Sequence, residues 1–401
     1  MSKAIITNSI LSSIASAIRS KTGKSSTMTP FEMAEEINNI EKGVELITQE
    51  QRDALSIASG SYSNIGSYAF AYCSSLTTAS FPECTSIGNN AFAYCSNLTT
   101  VSFPECTYIR SSAFYSCSSL TTASFPECTS IGSSAFANCS SLTAASFPEC
   151  TSIERNAFAY CPSLTTVSFP KCTSIGGYAF YNCSNLTAAS FPECTSIGVS
   201  AFVYCSSLAT VSFPKCTFIG SYAFYYCSNL TAVSFPSCTS IGVSAFAYCS
   251  SLTTASFPKC TFIGNNAFAN CSSLTTVSFP KCTFIGNNAF SACSNLTTVS
   301  FPSCTSIGVS AFANCPSLIA ASFPECTLIG GYAFRNCYNL SQLYIGTSNC
   351  SLINANSFES TPFSISSYLG YFGSIYVPSE YLDSYKTALN WSTYSDRLVG
   401  Y

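Results

Sequence analysis

The 401-residue chain contains no histidine, and only 8% of its residues are charged, against about 25% in ordinary globular proteins. Without histidine the chain cannot build a Ser-His-Asp triad, a histidine-ligated zinc site or an imidazole pH switch. Lys and Arg together number 15 against 18 Asp and Glu, so no basic excess is present to hold a nucleic-acid backbone. The composition therefore argues against histidine-dependent enzymes and against nucleic-acid binding.

Long hydrophobic runs are also missing from the sequence. No apolar run approaches the roughly 18 residues of a membrane-spanning helix, so we predict no membrane insertion. Ala15-Ser16-Ala17 has the form of a signal-peptidase site, but polar residues such as Ser12 and Ser13 interrupt the stretch before it. We therefore do not expect a cleaved signal peptide.

Cysteine, in contrast, is abundant and regularly spaced. Of the 26 cysteines, 25 fall into two series with a period of 22 residues, from Cys73 to Cys337 and from Cys84 to Cys326, offset by 11. Both series share the pattern Phe-x-x-Cys-[Ser/Thr]-x-[Ile/Leu], as in Phe81 to Ile87 and Phe92 to Leu98. Each repeat therefore carries two similar apolar sets, which we expect to face inward from opposite sides of a flattened coil.

A unit of this size cannot bury its own apolar side, but stacked units can, because equivalent residues then form ladders. The repeat predicts a β-rich solenoid of parallel stacked coils, about 13 repeats long, with strand-like spacing between coils. Proline at positions such as 82 and 104 is expected where a strand ends. The predicted ladder includes Cys73, Cys84, Cys95, Cys106, Phe81, Phe92, Ile87 and Leu98.

Three interpretations of the cysteines are open at this point. They can be small buried residues in a ladder, which we favour because free cysteine is among the most buried residue types. They can form disulfides between coils, although parallel in-register side chains point the same way and reach the required torsion poorly. They can bind metal, although the chain lacks Cys-x-x-Cys and histidine. We predict reduced thiols, no metal and no cofactor.

The phrase Ile-Gly-x-x-Ala-Phe-x-x-Cys-x-x-Leu-Thr, as in Ile87 to Thr99, resembles the BspA-like leucine-rich repeats and recurs over residues 61–345. The resemblance implies a leucine-rich-repeat solenoid. It also implies a function in recognition, because members are typically bacterial or protist surface adhesins, and the same repeats occur in phage-encoded proteins. The family repeat is usually nearer 23 residues with one cysteine, so this 22-residue form with two cysteines is a variant.

Positions that vary between repeats are expected at the surface, and several hold aromatic residues. Tyrosine, serine and asparagine there match the composition of antibody binding loops, in which tyrosine supplies rigid contact area. The alternative is that the tyrosines merely cover the flank of the solenoid. The candidate binding surface comprises Tyr178, Tyr222, Tyr332, Phe218, Phe262, Phe284, Tyr204, Tyr226 and Tyr248. The residue after proline changes from mainly Glu to mainly Lys along the chain, which indicates either solvation or a polarised binding face.

The two ends of the chain differ from the repeat. Asn8 to Ser20 and a segment from Thr29 are predicted as helices of an attachment module, residues 1–45. Residues 17–24 and 29–37 resemble an N-terminal module of tail-associated proteins in phages and prophages of Gram-positive bacteria. That resemblance implies binding to a tail or baseplate protein. We predict a linker or N-cap at 46–60, the solenoid at 61–345 and an α/β C-terminal cap at 346–401.

The sequence shows no catalytic constellation, since its acidic residues stand singly and its serines and threonines lack a histidine base. We predict a non-enzymatic recognition protein, most simply a phage tail-associated receptor-binding protein located in the virion tail. The alternative is a bacterial cell-surface or secreted adhesin, and a further alternative is a structural spacer. The expected partner is a host cell-surface protein or glycan, and homo-oligomerisation is left open.

Overall fold

The computed structural model of the protein describes residues 57–352, 354–364 and 372–401. The chain divides into two compact units, Met1–Pro192 and Glu193–Tyr401, called here the first and the second unit. The predicted helical module at residues 1–45 and most of the predicted linker lie outside the described residues. These two assignments, with the domain boundaries, therefore stay predictions.

One coil of the repeat consists of a long strand, a turn, a short strand and a run of further turns. In one coil the long strand Thr78–Ser80 ends just before Phe81-Pro82, since proline has no N–H for the ladder. The short strand Ser86–Ile87 follows, and residues 89–97 lie mostly in turns. These strands are too short to be stable alone. The fold is therefore maintained by pairing between coils.

In the first unit the short strands pair in parallel from coil to coil. The long strands also pair in parallel, but they form two sheets, because Thr100–Ser102 and Thr122–Ser124 are not paired. Partners such as Thr78 and Thr100 are one repeat apart. The long strands are Ile57–Ser59, Thr78–Ser80, Thr100–Ser102, Thr122–Ser124, Ala144–Ser146, Thr166–Ser168 and Ala188–Ser190. The short strands are Asn64–Ile65, Ser86–Ile87, Tyr108–Ile109, Ser130–Ile131, Ser152–Ile153 and Ser174–Ile175.

The second unit repeats this arrangement, again with parallel pairing such as Phe218 with Ser240. Its long strands are Thr210–Ser212, Ala232–Ser234, Thr254–Ser256, Thr276–Ser278, Thr298–Ser300, Ala320–Phe323 and Gln342–Ile345. Its short strands are Ser196–Ile197, Phe218–Ile219, Ser240–Ile241, Phe262–Ile263, Phe284–Ile285, Ser306–Ile307, Leu328–Ile329 and Ser351–Leu352. The predicted solenoid of parallel stacked coils is confirmed.

The C-terminal elements continue the stacking and then close it. Strand Ser374–Val377 pairs with Gln342–Ile345, and strand Leu398–Gly400 pairs with it in turn. Between and beside these strands lie the 3-10 helices Ala355–Phe358, Ser379–Tyr381 and Trp391–Arg397 and the α-helix Leu382–Thr387. The buried Trp391 indole donates a hydrogen bond to the Cys350 carbonyl at 2.6 Å. A polar anchor thus fixes these helices to the last coil.

Two columns of phenylalanine rings fill the core of both units. Within a column, rings of successive coils lie parallel, as for Phe92 and Phe114 at 5.2 Å between centroids with planes 2° apart. Between columns the rings meet at steep angles, as for Phe92 and Phe103 at 5.8 Å and 68°. Both offset-parallel and edge-to-face contacts are favourable for aromatic rings. The same two contacts therefore recur from coil to coil.

The turns contain two left-handed residues per coil, none of which is glycine. The first left-handed column is Tyr68, Asn90, Ser112, Ser134, Asn156, Tyr178, Ser200, Tyr222, Ser244, Asn266, Asn288, Ser310 and Tyr332. The second is Tyr72, Tyr94, Ser116, Asn138, Tyr160, Asn182, Tyr204, Tyr226, Tyr248, Asn270, Ala292, Asn314 and Asn336. Backbone N–H groups here alternate between the next coil and their own turn: Phe92 donates to Ala113 at 2.7 Å and Ala93 to Asn90 at 3.1 Å.

The glycine that follows the short strand in most coils serves a different purpose. A Cβ on Gly132 would lie 2.6 Å from the Arg110 carbonyl carbon, and one on Gly264 would lie 2.7 Å from that of Gly242. Neither glycine has the positive φ that only glycine adopts freely. Neighbouring coils approach closely at this turn, which favours glycine, and only Arg110 and Glu154 replace it in this column.

Candidate recognition surface

The long strands present an almost constant surface. From Thr78 to Ser322 their outward positions hold Thr or Ala followed by Ser in every coil, as in Thr100 and Ser102. A face that repeats the same small side chains offers little to distinguish one partner from another. The variable side chains lie instead on the short strands and on the turns.

Five tyrosines of the second unit form a packed aromatic group on these turns. This tyrosine cluster consists of Tyr204, Tyr222, Tyr225, Tyr226 and Tyr248. The Tyr226 and Tyr248 rings are parallel at 4.4 Å, and the Tyr225 ring stands edge-on to Tyr226 at 4.7 Å. Tyr204 lies 5.5 Å from Tyr226, and Tyr222 lies 5.5 Å from Tyr225. Each ring is held by at least one other, so the cluster is a preorganised patch.

Four of the five tyrosines are exposed, and their backbone conformation is costly to maintain. Tyr204 is 42% exposed and Tyr248 is 37% exposed. Four of the five tyrosines are left-handed, with φ between 60° and 63°, a conformation that costs an ordinary L-residue roughly 1–2 kcal/mol. Asparagine, which tolerates this region better, fills the same columns in other coils, for example at Asn266 and Asn270. Tyrosine is thus present despite a local cost, a pattern often found at functional sites.

Tyr225 was missed in the sequence analysis, although a signal existed. The position between Phe and the left-handed residue holds alanine in most coils, as in Ala247, and tyrosine at only three: 115, 181 and 225. Each of these tyrosines contacts a tyrosine of the preceding coil edge-on, as Tyr160 and Tyr181 do at 5.1 Å. Comparing the repeats with one another at this position would have identified Tyr225.

The surroundings of the cluster are nearly free of charge. Residues 194–258 contain one charged side chain, Lys215, whose Nζ lies 2.6 Å from Glu193 Oε2. Partial burial raises the pKa of Tyr225 above its ordinary value, and neighbouring tyrosines add to that rise. The Tyr225 hydroxyl is therefore neutral at physiological pH. The patch can offer aromatic contact area and hydroxyl groups to a partner, but no charge of its own.

The other predicted surface residues do not join this cluster. Phe218, Phe262 and Phe284 point outward on short strands, and the last two stack at 5.2 Å. Within the described residues, none of these three phenylalanines makes a ring contact with the cluster. Tyr178 belongs to the first unit, where Arg155 lies 5.0 Å from its ring centroid, and Tyr332 is half-buried beside Arg335. Of the nine predicted residues, the structure brings together Tyr204, Tyr222, Tyr226 and Tyr248.

The column after proline is exposed or partly exposed in both units. Lys171 contacts Glu149 at 2.5 Å and Lys215 contacts Glu193, each across one coil step. Exposed pairs of this kind typically contribute about 0–1 kcal/mol. We infer that the charged side chains of this column mainly keep the surface solvated. This is one of the two interpretations drawn from the sequence.

The cysteines form the predicted buried ladders and are free thiols. The Cys117 Sγ donates to the Phe92 carbonyl of the preceding coil at 3.1 Å, and the Cys84 Sγ donates to the Ser86 carbonyl at 3.3 Å. Burial raises the pKa of Cys128 to about 12, which disfavours the reactive thiolate. Among the described residues no group of three or more His, Cys, Asp or Glu side chains is placed to hold a metal ion. The thiols therefore act as core residues with satisfied donors.

Within the described residues, no helix has the length and hydrophobicity needed to span a membrane.

No curated protein sequence matches the chain. The fold matches many solved structures. A leucine-rich repeat protein from Bacteroides ovatus is similar at 26% identity with a TM-score of 0.55, over 70% of this chain and 82% of that one. A leucine-rich cell surface protein from Faecalibacterium prausnitzii is 26% identical with a TM-score of 0.40, over 71% and 77% of the two chains.

A scan against family models gives a more extensive match. The model for the BspA type leucine-rich repeat region matches in six copies, over residues 63–187, 151–275 and 261–369. Together these segments cover well over half of the chain. They do not include residues 17–37, so the resemblance of that segment to tail-associated proteins stays a prediction. The chain belongs to the BspA-type leucine-rich repeat family.

Proposed function

We propose that this protein is a non-enzymatic recognition protein that binds its partner through the tyrosine cluster of the second unit. The observation that carries this proposal is the group of five mutually packed tyrosines, four of which are exposed and lie in left-handed turns. Tyrosine is enriched among the residues that dominate protein interfaces, because it offers a large rigid surface at low entropic cost.

Family membership supports a recognition role at a surface, because leucine-rich-repeat solenoids commonly serve as interaction scaffolds. Between the two settings considered above, the bacterial cell-surface adhesin is the better supported, since the family match spans most of the chain. A phage tail-associated receptor-binding protein remains the second candidate. It rests on the resemblance of residues 17–37, and in it residues 1–45 would bind the tail.

The test exchanges cluster residues for those that other coils carry at the same positions. Tyr225→Ala, Tyr226→Asn and Tyr248→Asn are combined, because alanine and asparagine already occur at these positions, as in Ala247 and Asn270. The matched control combines Tyr94→Asn, Tyr115→Ala and Tyr160→Asn in the first unit. Fluorescently labelled proteins are measured by flow cytometry on mammalian epithelial cells and on Gram-positive bacterial cells.

We expect the wild type to bind one of these cell classes, the cluster variant to lose at least tenfold in bound signal, and the control to change less than twofold. Binding to epithelial cells supports the adhesin, whereas binding to bacterial cells supports the phage protein. Protease or glycosidase treatment of the cells then separates a protein partner from a glycan. Equal binding by the cluster variant and the wild type would contradict the proposed site, and the spacer alternative would then gain support.

A further inference from the structure

The first unit contains a cavity at a place where the repeat pattern is broken. It is an open surface cavity of about 330 Å³, and most of the side chains that line it are exposed. Its lining residues are Asn89, Tyr108, Ile109, Arg110, Ser111, Ser130, Gly132 and Glu154. All of them lie on short strands or on the turns that follow, and Ile109 and Gly132 are the buried ones.

Three departures from the repeat meet at this cavity. Arg110 and Glu154 occupy the turn position that is glycine in nearly all other coils, and Gly132 lies in the coil between them. Because Gly132 has no side chain, a gap remains between the side chains of Arg110 and Glu154 in the two neighbouring coils. Tyr108 stands where the neighbouring coils have Ser86 and Ser130, and it is 55% exposed.

The charges of the first unit also concentrate here. Apart from the column after proline, the described part of this unit contains three charged residues, namely Arg110, Glu154 and Arg155. Two of the three line the cavity. Within the same part of the chain, Arg110 makes no ion pair, so its guanidinium is available to a ligand.

Glu154 is held in a defined position. Its Oε2 accepts hydrogen bonds from the Ser133 backbone N–H and from the Ser133 hydroxyl, both at 2.9 Å. The second carboxylate oxygen can accept from a ligand hydroxyl. Because Arg110 and Glu154 are two coil steps apart, their backbones are separated by roughly 10 Å. The cavity therefore presents a fixed acceptor on one side and a cationic donor on the other.

We propose that this cavity binds an acidic sugar residue, such as a sialic or uronic acid at the end of a glycan chain. The guanidinium of Arg110 can bind the sugar carboxylate through two parallel hydrogen bonds. Asn89, Ser111, Ser130 and Glu154 surround the space in which the sugar hydroxyls would lie, and the Tyr108 ring offers an apolar surface for the C–H face of the sugar.

Two other ligand classes fit less well. A polyanion would bring negative charge to Glu154, where like charges repel. A free α-amino acid carries an ammonium and a carboxylate but lacks a ring of hydroxyl groups for Asn89, Ser111 and Ser130. This site lies in the first unit and is independent of the tyrosine cluster, so either proposal can fail without the other.

The test measures binding of the methyl glycosides of N-acetylneuraminic acid and glucuronic acid to the whole protein by isothermal titration calorimetry. Methyl galactoside and free glutamate are the comparison ligands. The main variant is Arg110→Gly, which installs the residue that other coils carry at this turn. Lys171→Ser is the matched control, because it also removes one positive charge and serine occurs at that position in Ser237 and Ser303.

We expect at least one acidic glycoside to bind, Arg110→Gly to weaken its affinity at least tenfold, and Lys171→Ser to change it less than twofold. If Arg110→Gly fails to give the wild-type circular dichroism spectrum, Tyr108→Ser takes its place with the same expectation. The proposal is overturned if neither acidic glycoside binds, if galactoside or glutamate binds equally well, or if the folded variants bind like the wild type.

Discussion

The two units share one core but differ in surface chemistry. In the first unit the column after proline is mainly glutamate, and the charged departures from the repeat gather around a polar cavity. In the second unit lysine and serine are common in that column, and a nearly uncharged stretch carries five packed tyrosines. The phenylalanine and cysteine ladders are alike in both. The comparison shows that the inward positions define the coil, while the outward positions can change independently.

The largest expected effect is a loss of folding stability at alkaline pH, and it should be the same for the cores of both units. Burial raises the pKa of thiols in both units to about 12, as for Cys128 and Cys238. The unfolded chain therefore loses its thiol protons first as the pH rises. Stability is complete below the ordinary thiol pKa of about 8.5 and falls between roughly pH 9 and pH 12, by up to about 1.4 kcal/mol per pH unit and thiol.

Circular dichroism during a pH titration in reducing buffer should show both units unfolding within this alkaline window. At pH 7 the native protein should react with a thiol reagent far more slowly than the denatured chain does. Unchanged stability up to pH 12, or rapid labelling at pH 7, would contradict the buried reduced ladders.

A second prediction compares the two units at the turn where neighbouring coils approach closely. Gly132→Ala in the first unit and Gly264→Ala in the second should each lower the free energy of unfolding by about 1–3 kcal/mol, because the new Cβ would meet backbone atoms. Gly331→Ala is the control, since its Cβ would meet the Asn354 side chain, which can move. Urea unfolding measures all three. A cost at Gly132 or Gly264 no larger than at Gly331 would contradict the explanation.

The smallest expected effect concerns two exposed lysine–glutamate pairs, one chosen from each unit. Lys171→Ser and Lys215→Ser should each change the free energy of unfolding by less than about 1 kcal/mol, because both partners are well solvated. The effect should also shrink at high salt. A loss of several kcal/mol for either variant would show that the column contributes to stability and not only to solvation.

The period of the sequence was sufficient to predict the ladders, because burial of Phe81, Cys84 and Ile87 follows directly from stacking identical repeats. The left-handed turns were not predicted, because they contain Tyr, Ser and Asn where glycine would have been the signal. The turn glycines allow neighbouring coils to approach closely. This role was not predicted, because it depends on distances that a sequence does not contain. The tyrosine cluster was predicted only in part, since Tyr225 is recognised as a departure only when coils are aligned.

The constant register has a consequence for the number of coils in a unit. Within each unit most strand partners are one repeat apart, as for Thr78 with Thr100 and Thr298 with Ala320, and each coil contacts mainly its neighbours. Removing or adding one whole repeat would therefore join equivalent residues and leave the types of contact in place, while shortening or lengthening the stack of that unit by about 4.8 Å. The stack can thus change in fixed increments, and a gene of near-identical repeats can gain or lose such increments by unequal recombination without a new core having to evolve.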